Sequence, residues 1–481
     1  MLDRGQLLRG AGALLLAPRA RAASLPAPLA ELQREIAGIV VGRTSPGFDR
    51  ARLIYNTRYD AYLPLAVVRC RTLADVEKTI GWSRRRGIRI AARSGGHSYG
   101  GYSSVPGGVI VDVSALARVS ALPGHRAIVG AGAKLIDVYS GLARHGAAIP
   151  AGSCATVGIG GQALGGGIGF LSRKLGATCD NLLSLKLVTA DGEARTCSPS
   201  ENPDLYWACR GGGGGNFGIA TEYTFRTAQI SSVATFAAEW PWSQAQTVIS
   251  AWLGWAPHAP DELFSVCNIS SAPSIRVSGQ LVGTTARLRT LLGPLVNAGT
   301  PTSVRLTQRR FLDAAEYWAG CAPVSECRLE PLGNQTRATF AAKSDYLRRP
   351  LSAAAISTIL QAIPRAPVRG SLLLDSYGGA LNRVPKGGTA FVHRDSLCSL
   401  QYLSAWDNPA DGPASIAWIR SFYAAMRPFV SGEAYVNYID PDLAGNPRAY
   451  YGSNLPRLVS IKRRYDPANV FRFRQSIPLH L

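Results

Sequence analysis

Two nucleophilic side chains sit where little shields them. His97 lies in Arg93-Ser94-Gly95-Gly96-His97-Ser98, and Cys154 lies in Gly152-Ser153-Cys154-Ala155-Thr156-Val157-Gly158. An imidazole and a soft thiol set among glycines are available as nucleophiles. Each also has an ordinary structural reading, as a turn histidine and as a small buried thiol that packs like alanine. Neither belongs to a metal set: the six histidines, at 97, 125, 145, 258, 393 and 480, are far apart, and the nine cysteines fit no zinc spacing.

The two loops belong to three glycine clusters, Ser94 to Gly101, Gly152 to Gly169 and Gly211 to Gly218. Consecutive glycines let backbone N–H groups approach an anion without Cβ obstruction, so a diphosphate is the natural guest. Three clusters within about 125 residues favour a large cofactor threaded along several loops over a set of tight turns. Gly158-Ile159-Gly160-Gly161-Gln162-Ala163 matches the dinucleotide fingerprint, with Asp180 at a suitable distance, but Ile149 to Thr156 contains Pro and Gly and carries no strand pattern. A Rossmann turn needs a buried strand there, so the match is accidental. No Lys-Ser/Thr follows Gly211 to Gly215, which excludes a P-loop.

Short strands and helices must hold these loops. Thr72 with Asp75 reads as a capping pair, Leu73, Val76 and Ile80 repeat at helical spacing, and Gly87 stops the helix. Ile88 to Ala91 reads as a strand running straight into the His97 loop. Gly108 to Val113, Ala127 to Val129 and Leu182 to Thr189 read as further strands, and Leu135, Val138 and Leu142 mark a helix closed by Gly146. After about Ala228 the glycine density falls, and strand-like runs such as Gly370 to Leu374 alternate with helices. At 481 residues the chain has room for two or three domains.

The charge is the compositional outlier. Lys and Arg total 52 against 31 acids, a net charge of +21, and all but seven of the basic residues are arginines. They are scattered, and the densest runs, Arg84 to Arg86 and Lys462 to Arg464, lack the aromatic platform that single-strand binders use, so the excess does not indicate nucleic acid. No apolar stretch of about 18 residues predicts a membrane helix. Residues 1–28 read as an export signal or as an Arg-rich leader; the first reading puts the protein in the periplasm or outside the cell, the second leaves it in the cytoplasm. Cys321 and Cys327 could pair in an exported protein or remain reduced.

The three glycine motifs, with Gly165-Gly166-Gly167-Ile168-Gly169 and the C-terminal Tyr450-Tyr451-Gly452-Ser453-Asn454-Leu455, Asp466 to Phe471 and Gln475-Ser476-Ile477-Pro478, resemble the berberine bridge enzyme-like family of FAD-linked oxidases. The resemblance runs in order from about Asn56 to the end. It implies an α+β protein: a PCMH-type FAD-binding domain of two α/β subdomains over 29–228, a substrate domain with a large antiparallel sheet over 229–430, and a segment over 431–481 that returns to the FAD domain. The expected reaction takes a hydride from an alcohol or sugar hydroxyl carbon of a small substrate, such as a sugar or a glycosylated natural product, and passes electrons to oxygen, releasing hydrogen peroxide. Oxidative cyclisation or desaturation of a natural product is the alternative within the family, and a basic polyanion-binding protein is the alternative outside the enzymes.

Residue by residue, the resemblance places His97 and Cys154 on the two positions of covalent FAD attachment, to the 8α methyl and to carbon 6. It extends the cofactor set to Arg93, Ser94, Gly95, Gly96, Ser98, Gly152, Ser153, Val157, Gly158, Gly161, Gly165, Gly218, Ile219 and Asn454, with Arg93 beside the diphosphate. Tyr438, in Tyr435-Val436-Asn437-Tyr438-Ile439-Asp440, falls on the general base, which requires nearby positive charge or hydrogen bonds to lower its pKa. Tyr377, in Asp375-Ser376-Tyr377-Gly378-Gly379, is expected as a second catalytic and substrate-binding residue, and Gln401 as a hydrogen-bonding group on the same face.

Overall fold

A computed structural model describes residues 25–271 and 274–481; the leader read over 1–28 lies, up to residue 24, outside them. The helix Leu73–Arg85 starts where the capping pair requires, with Asp75 N donating to Thr72 Oγ1 at 3.1 Å and Thr72 N donating to Asp75 Oδ2 at 3.1 Å. Gly87 follows its end at a φ of 63°, a left-handed conformation suited to glycine. The next strand is Ile90–Arg93, two residues later than Ile88 to Ala91, because the Ile88 N–H closes the helix end on Ser83 O. That shift delivers Ser94 directly from the strand end into the His97 loop.

This strand is the edge of a four-stranded sheet ordered Ile39–Gly42, Ala66–Arg69, Val109–Asp112, Ile90–Arg93, with one antiparallel and two parallel pairings. A second, five-stranded antiparallel sheet runs Val119–Leu122, Arg126–Gly130, Ile219–Arg226, Leu182–Val188, Ala194–Cys197. Both sheets share one apolar core, which also takes in Leu455, Leu458, Val459 and Ile477 from the end of the chain. The helix Leu455–Tyr465 is pinned there by buried Lys462, whose Nζ donates to Asn216 O, Phe471 O and Asp466 Oδ2.

The third sheet has seven antiparallel strands in the order Ser303–Arg310, Ser232–Pro241, Ser274–Leu281, Leu263–Ser270, Arg369–Ser376, Cys398–Trp406, Thr339–Leu347. Strands alternate their side chains between faces, and here one face carries Cys267, Ile269, Leu372, Leu374, Leu400 and Tyr402. These residues form a separate core with the helices Ala245–Trp255, Thr285–Val296, Ala353–Ala362 and Gly412–Met426. The opposite face is left for the first two sheets and the loops between them.

Candidate active site

The His97 and Cys154 loops are locked together by backbone contact that only glycine permits. A Cβ on Gly95 would stand 2.2 Å from Gly158 N, and one on Gly158 would stand 2.0 Å from Ser94 Oγ. Ser94 Oγ donates to Ala131 O at 2.6 Å, and Lys134 Nζ donates to Ser94 O at 2.8 Å. The His97 ring stacks on Tyr55 at 3.9 Å, and its Nε2 lies 2.9 Å from Thr156 Oγ1, two residues after Cys154. This leaves Nδ1 as the unspent nitrogen. Burial, with the Lys134 charge, pushes the His97 pKa down to about 3, so the imidazole is neutral at neutral pH. Among the described residues Cys154 is the one free cysteine that is not buried. Its thiol opens into a recess walled by protein, and that desolvation raises its pKa, so it rests protonated.

Both side chains line one cavity of about 1000 Å³. Ser94, Gly95, Gly96, Ser98, Gly152, Ser153, Val157, Gly158, Gly161, Gly218 and Ile219 line it as well, so all three glycine clusters meet on a single space. The cavity fits an elongated dinucleotide. A Cβ on Gly161 would meet nothing within 4 Å, and one on Gly214 only Gly161 Cα and the tip of Leu164, so bare backbone faces the space from two loops. Gln162 Nε2, on the same wall, is buried without a partner. The accidental fingerprint is confirmed as such: residues 149–157, which lead into Gly158, form no strand, and Asp180 is bound by both guanidinium arms of Arg394.

The far wall is the open face of the seven-stranded sheet. Phe264, Val266, Asn268, Arg276, Ser278, Leu373, Asp375 and Gln401 all line the cavity, each alternating with a residue of the helix-covered core. Tyr438, in the short 3-10 turn Val436–Tyr438, completes this end, stacked on Tyr99 at 5.2 Å and edge-on to Tyr435 at 4.9 Å. Tyr435 Oη accepts from Gly167 N and from Asn437 Nδ2, both at 2.9 Å. Gln401 Nε2 donates to Tyr99 Oη at 2.8 Å.

Four expected residues do not line the cavity. Arg93 is buried in an ion pair with Asp112, with Nη2 2.6 Å from Oδ2, so its charge is spent beneath the loop rather than on a diphosphate. Gly165 packs against Asn437, where a Cβ would stand 2.0 Å from Oδ1. Asn454 uses its amide on the carbonyls of Lys386, Thr389 and Ala390. Tyr377 leaves the sheet at its end, its N–H on Leu397 O and its carbonyl on Arg173, and its ring is fully buried among Tyr346, Leu381 and Phe391. Among the described residues neither a positive charge nor a hydrogen bond lowers the pKa of Tyr438, as a general base requires: burial, then the Asp375 charge and the neighbouring tyrosines, push it well up.

Asp375 is the residue that the sequence reading missed. The strand ends at Ser376 rather than Leu374, and this two-residue extension aims the carboxylate into the cavity. Its strongest hydrogen-bonding partner is Ser399 Oγ at 3.4 Å, and burial pushes its pKa up to about 6. The signal was available in the alternation: Leu372 and Leu374 face the core, so residue 375 faces the other side. Tyr99, two residues after His97 in the Ser94 to Gly101 cluster, also lines the cavity.

The FAD binding domain family matches residues 64–198, and the Berberine and berberine like family matches residues 434–478. An uncharacterized FAD-linked oxidoreductase of Bacillus subtilis, YgaK, is 36% identical over 452 residues, covering 92% of this chain and 97% of its own. The solved structure of Physcomitrella patens BBE-like 1 superposes with a TM-score of 0.89 at 33% identity, covering 94% of this chain and 99% of that one. A chitooligosaccharide oxidase superposes with a TM-score of 0.85 at 27% identity, with the same coverage.

Proposed function

Because the chain belongs to the berberine bridge enzyme-like family of FAD-linked oxidoreductases, we propose that it oxidises an alcohol or sugar hydroxyl carbon, with FAD attached through His97 and Cys154 and oxygen as the final acceptor. The observation that carries this is the single cavity. It runs from three glycine loops to a sheet face bearing a carboxylate and an amide, with the Tyr438 phenol beside them on its own turn, so a cofactor and a polar substrate can share it end to end.

FAD, when bound along the glycine loops, would supply the two-electron oxidant, with oxygen as the final acceptor reduced to hydrogen peroxide. The chain supplies positioning and proton transfer. His97 offers a neutral nitrogen, Nδ1, and Cys154 a thiol that opens on the same space. Tyr438 Oη has no protein hydrogen-bond partner among the described residues and opens into the cavity, where it meets the substrate hydroxyl. The phenol is protonated at rest, so it passes a proton on rather than storing one. Asp375, ionised at pH 7 on the same wall, is the sink for that proton, which reaches it through a bridging water or substrate hydroxyl because the two side chains make no direct hydrogen bond. Gln401 keeps its carbonyl oxygen for a second substrate hydroxyl, since Tyr99 takes only its Nε2. The Cys321–Cys327 disulfide supports the export reading, because such bonds persist in oxidising compartments.

The test is anaerobic reduction with a panel of sugars, alcohols and glycosides, following the loss of flavin absorbance. Bleaching by a hydroxyl substrate and peroxide on readmission of air are expected. If dithionite bleaches the flavin while no hydroxyl compound does, or if only ring-closing substrates do, the reading is wrong.

A further inference from the structure

The sheet face that forms the substrate wall does not stop at the cavity. Directly paired residues on adjacent strands point to the same side, so register extends the wall outward. Gln401 pairs with Leu373, Leu373 with Asn268, Asn268 with Arg276, and Arg276 with Glu239. The parallel row from Asp375 runs through Val266, Ser278 and Ala237 to Arg305. Arg309, four residues along the same edge strand, shares that face, and its guanidinium lies 4.3 Å from the centre of the Tyr317 ring.

Arg276, Arg305 and Arg309 thus stand together on the wall and its outer edge, and two carboxylates share this face: Asp375, at the far end of the Arg305 row, and Glu239 beside Arg276. Glu239 lies 3.9 Å from Arg276 Nε, too far for a hydrogen bond. Arg276 Nε and Asn268 Oδ1 are buried without hydrogen-bond partners, and Arg276 Nη2 reaches only Tyr317 Oη, at 3.3 Å. The covering helix Phe311–Ala319 brings two more acids, but Asp313 is bound to Arg310, which points to the other face, and Glu316 feels the same arginine. Arg276 stands two strand spacings, about 10 Å, from the strand that bears Asp375.

We propose that the substrate is an anionic glycoside, carrying a carboxylate or phosphate about 10 Å from the oxidised carbon, held by Arg276 with Arg305 and Arg309 behind it. This rests on the reading of the cavity as a hydroxyl-oxidising site. A guanidinium with unspent donors matches either anion, and the remaining positive charge draws such a substrate to the mouth.

The test compares glucosyl-glucose with glucuronosyl-glucose of the same linkage and with its 6′-phosphate. kcat/KM is measured at low and high ionic strength, and calorimetric affinity is measured in parallel. An anionic member is expected to be preferred about tenfold at low salt, with the preference shrinking to about twofold at 0.5 M. The Arg276→Gln chain should lose most of that ratio, and the Arg276→Gln/Arg305→Gln/Arg309→Gln chain all of it. Equal or lower kcat/KM for both anionic members, or a ratio that survives the triple substitution, overturns the proposal and leaves the oxidase reading standing. If no disaccharide bleaches the flavin, affinity decides for the anion site: Arg276-dependent tighter binding of an anionic member upholds it and binding without that preference overturns it, while the oxidase reading stands or falls separately on the wider panel of hydroxyl compounds.

Discussion

Replacing Asp375 by asparagine separates catalysis from stability at one atom. An ordinary aspartate ionises near pH 4, and burial in the cavity wall lifts Asp375 to about 6. If the ionised form takes the proton, roughly nine-tenths of the enzyme is competent at pH 7 and roughly one-tenth at pH 5. Substrate-dependent flavin reduction, followed anaerobically by stopped flow, should therefore fall about tenfold over that interval, with its midpoint near 6. Asp375→Asn should slow reduction at pH 7 by about 10²- to 10⁴-fold and abolish the acid limb, whereas Tyr438→Phe should slow it while leaving the limb in place.

Stability runs the other way. A carboxyl whose folded pKa is raised contributes most below its unfolded value near 4, and that contribution is lost as pH rises through about 6. A lift of about two units corresponds to about 3 kcal/mol at pH 7, and to less where cavity water screens the charge. Asparagine removes this penalty and can still accept from Ser399 Oγ. The D375N chain should resist denaturant better than the parent at pH 7 and equally at pH 4. A variant that reduces its flavin normally, or that is less stable at pH 7, would refute the assignment of the proton sink to this carboxylate.

Acid-precipitated, washed protein should stay yellow. The combined His97→Ala and Cys154→Ala substitutions should release the flavin into the supernatant, and free FAD from the unaltered chain would sink the covalent claim. Gly161→Val should leave the circular dichroism spectrum unchanged, because no atom lies within 4 Å of its Cβ, while lowering flavin content per chain; full flavin occupancy would mean that the Gly161 backbone does not face the cofactor.

Local patterns carried much of this architecture. The Thr72 and Asp75 cap, the strand into Val109–Asp112 and the glycine loops around His97 and Cys154 are written in residues near one another, where sterics and hydrogen bonding act over a few positions. What failed was non-local. Arg93 resembles an anion ligand until the parallel pairing of Ile90–Arg93 with Val109–Asp112 sets it opposite Asp112, and a buried arginine takes the nearest carboxylate. Tyr377 carries the parity of Asp375, but the sheet ends between them, at Ser376, and Gly378 at a φ of 105° turns the chain away. Period-2 reasoning holds only while the strand lasts. Arg276 had no motif at all, because its place depends on four successive strand pairings among segments spread between Glu239 and Gln401.

The same non-locality explains why the site needs the end of the chain. His97 and Cys154 come from the first sheets, Asp375 and Gln401 from the third, and Tyr438 from the segment that follows it, so the distance between phenol and carboxylate is set by whatever fastens that segment. Two residues after Tyr438, Asp440 accepts from Lys343 Nζ at 2.7 Å, and Asp442 accepts from the same nitrogen at 2.6 Å. Lys343 lies on the strand Thr339–Leu347, immediately before Ser344, which pairs with Gln401. Lys343 and Asp440 are both buried. Burying such a pair costs about as much desolvation as its attraction returns, so its value is geometric. It joins the Tyr438 turn to the sheet one residue from the Gln401 row. Gln475 Nε2 then holds Asp440 O at 2.8 Å from the returning tail. Chain segments remote in sequence thus converge on one aspartate, and the hydroxyl that meets the substrate is held in place from both sides.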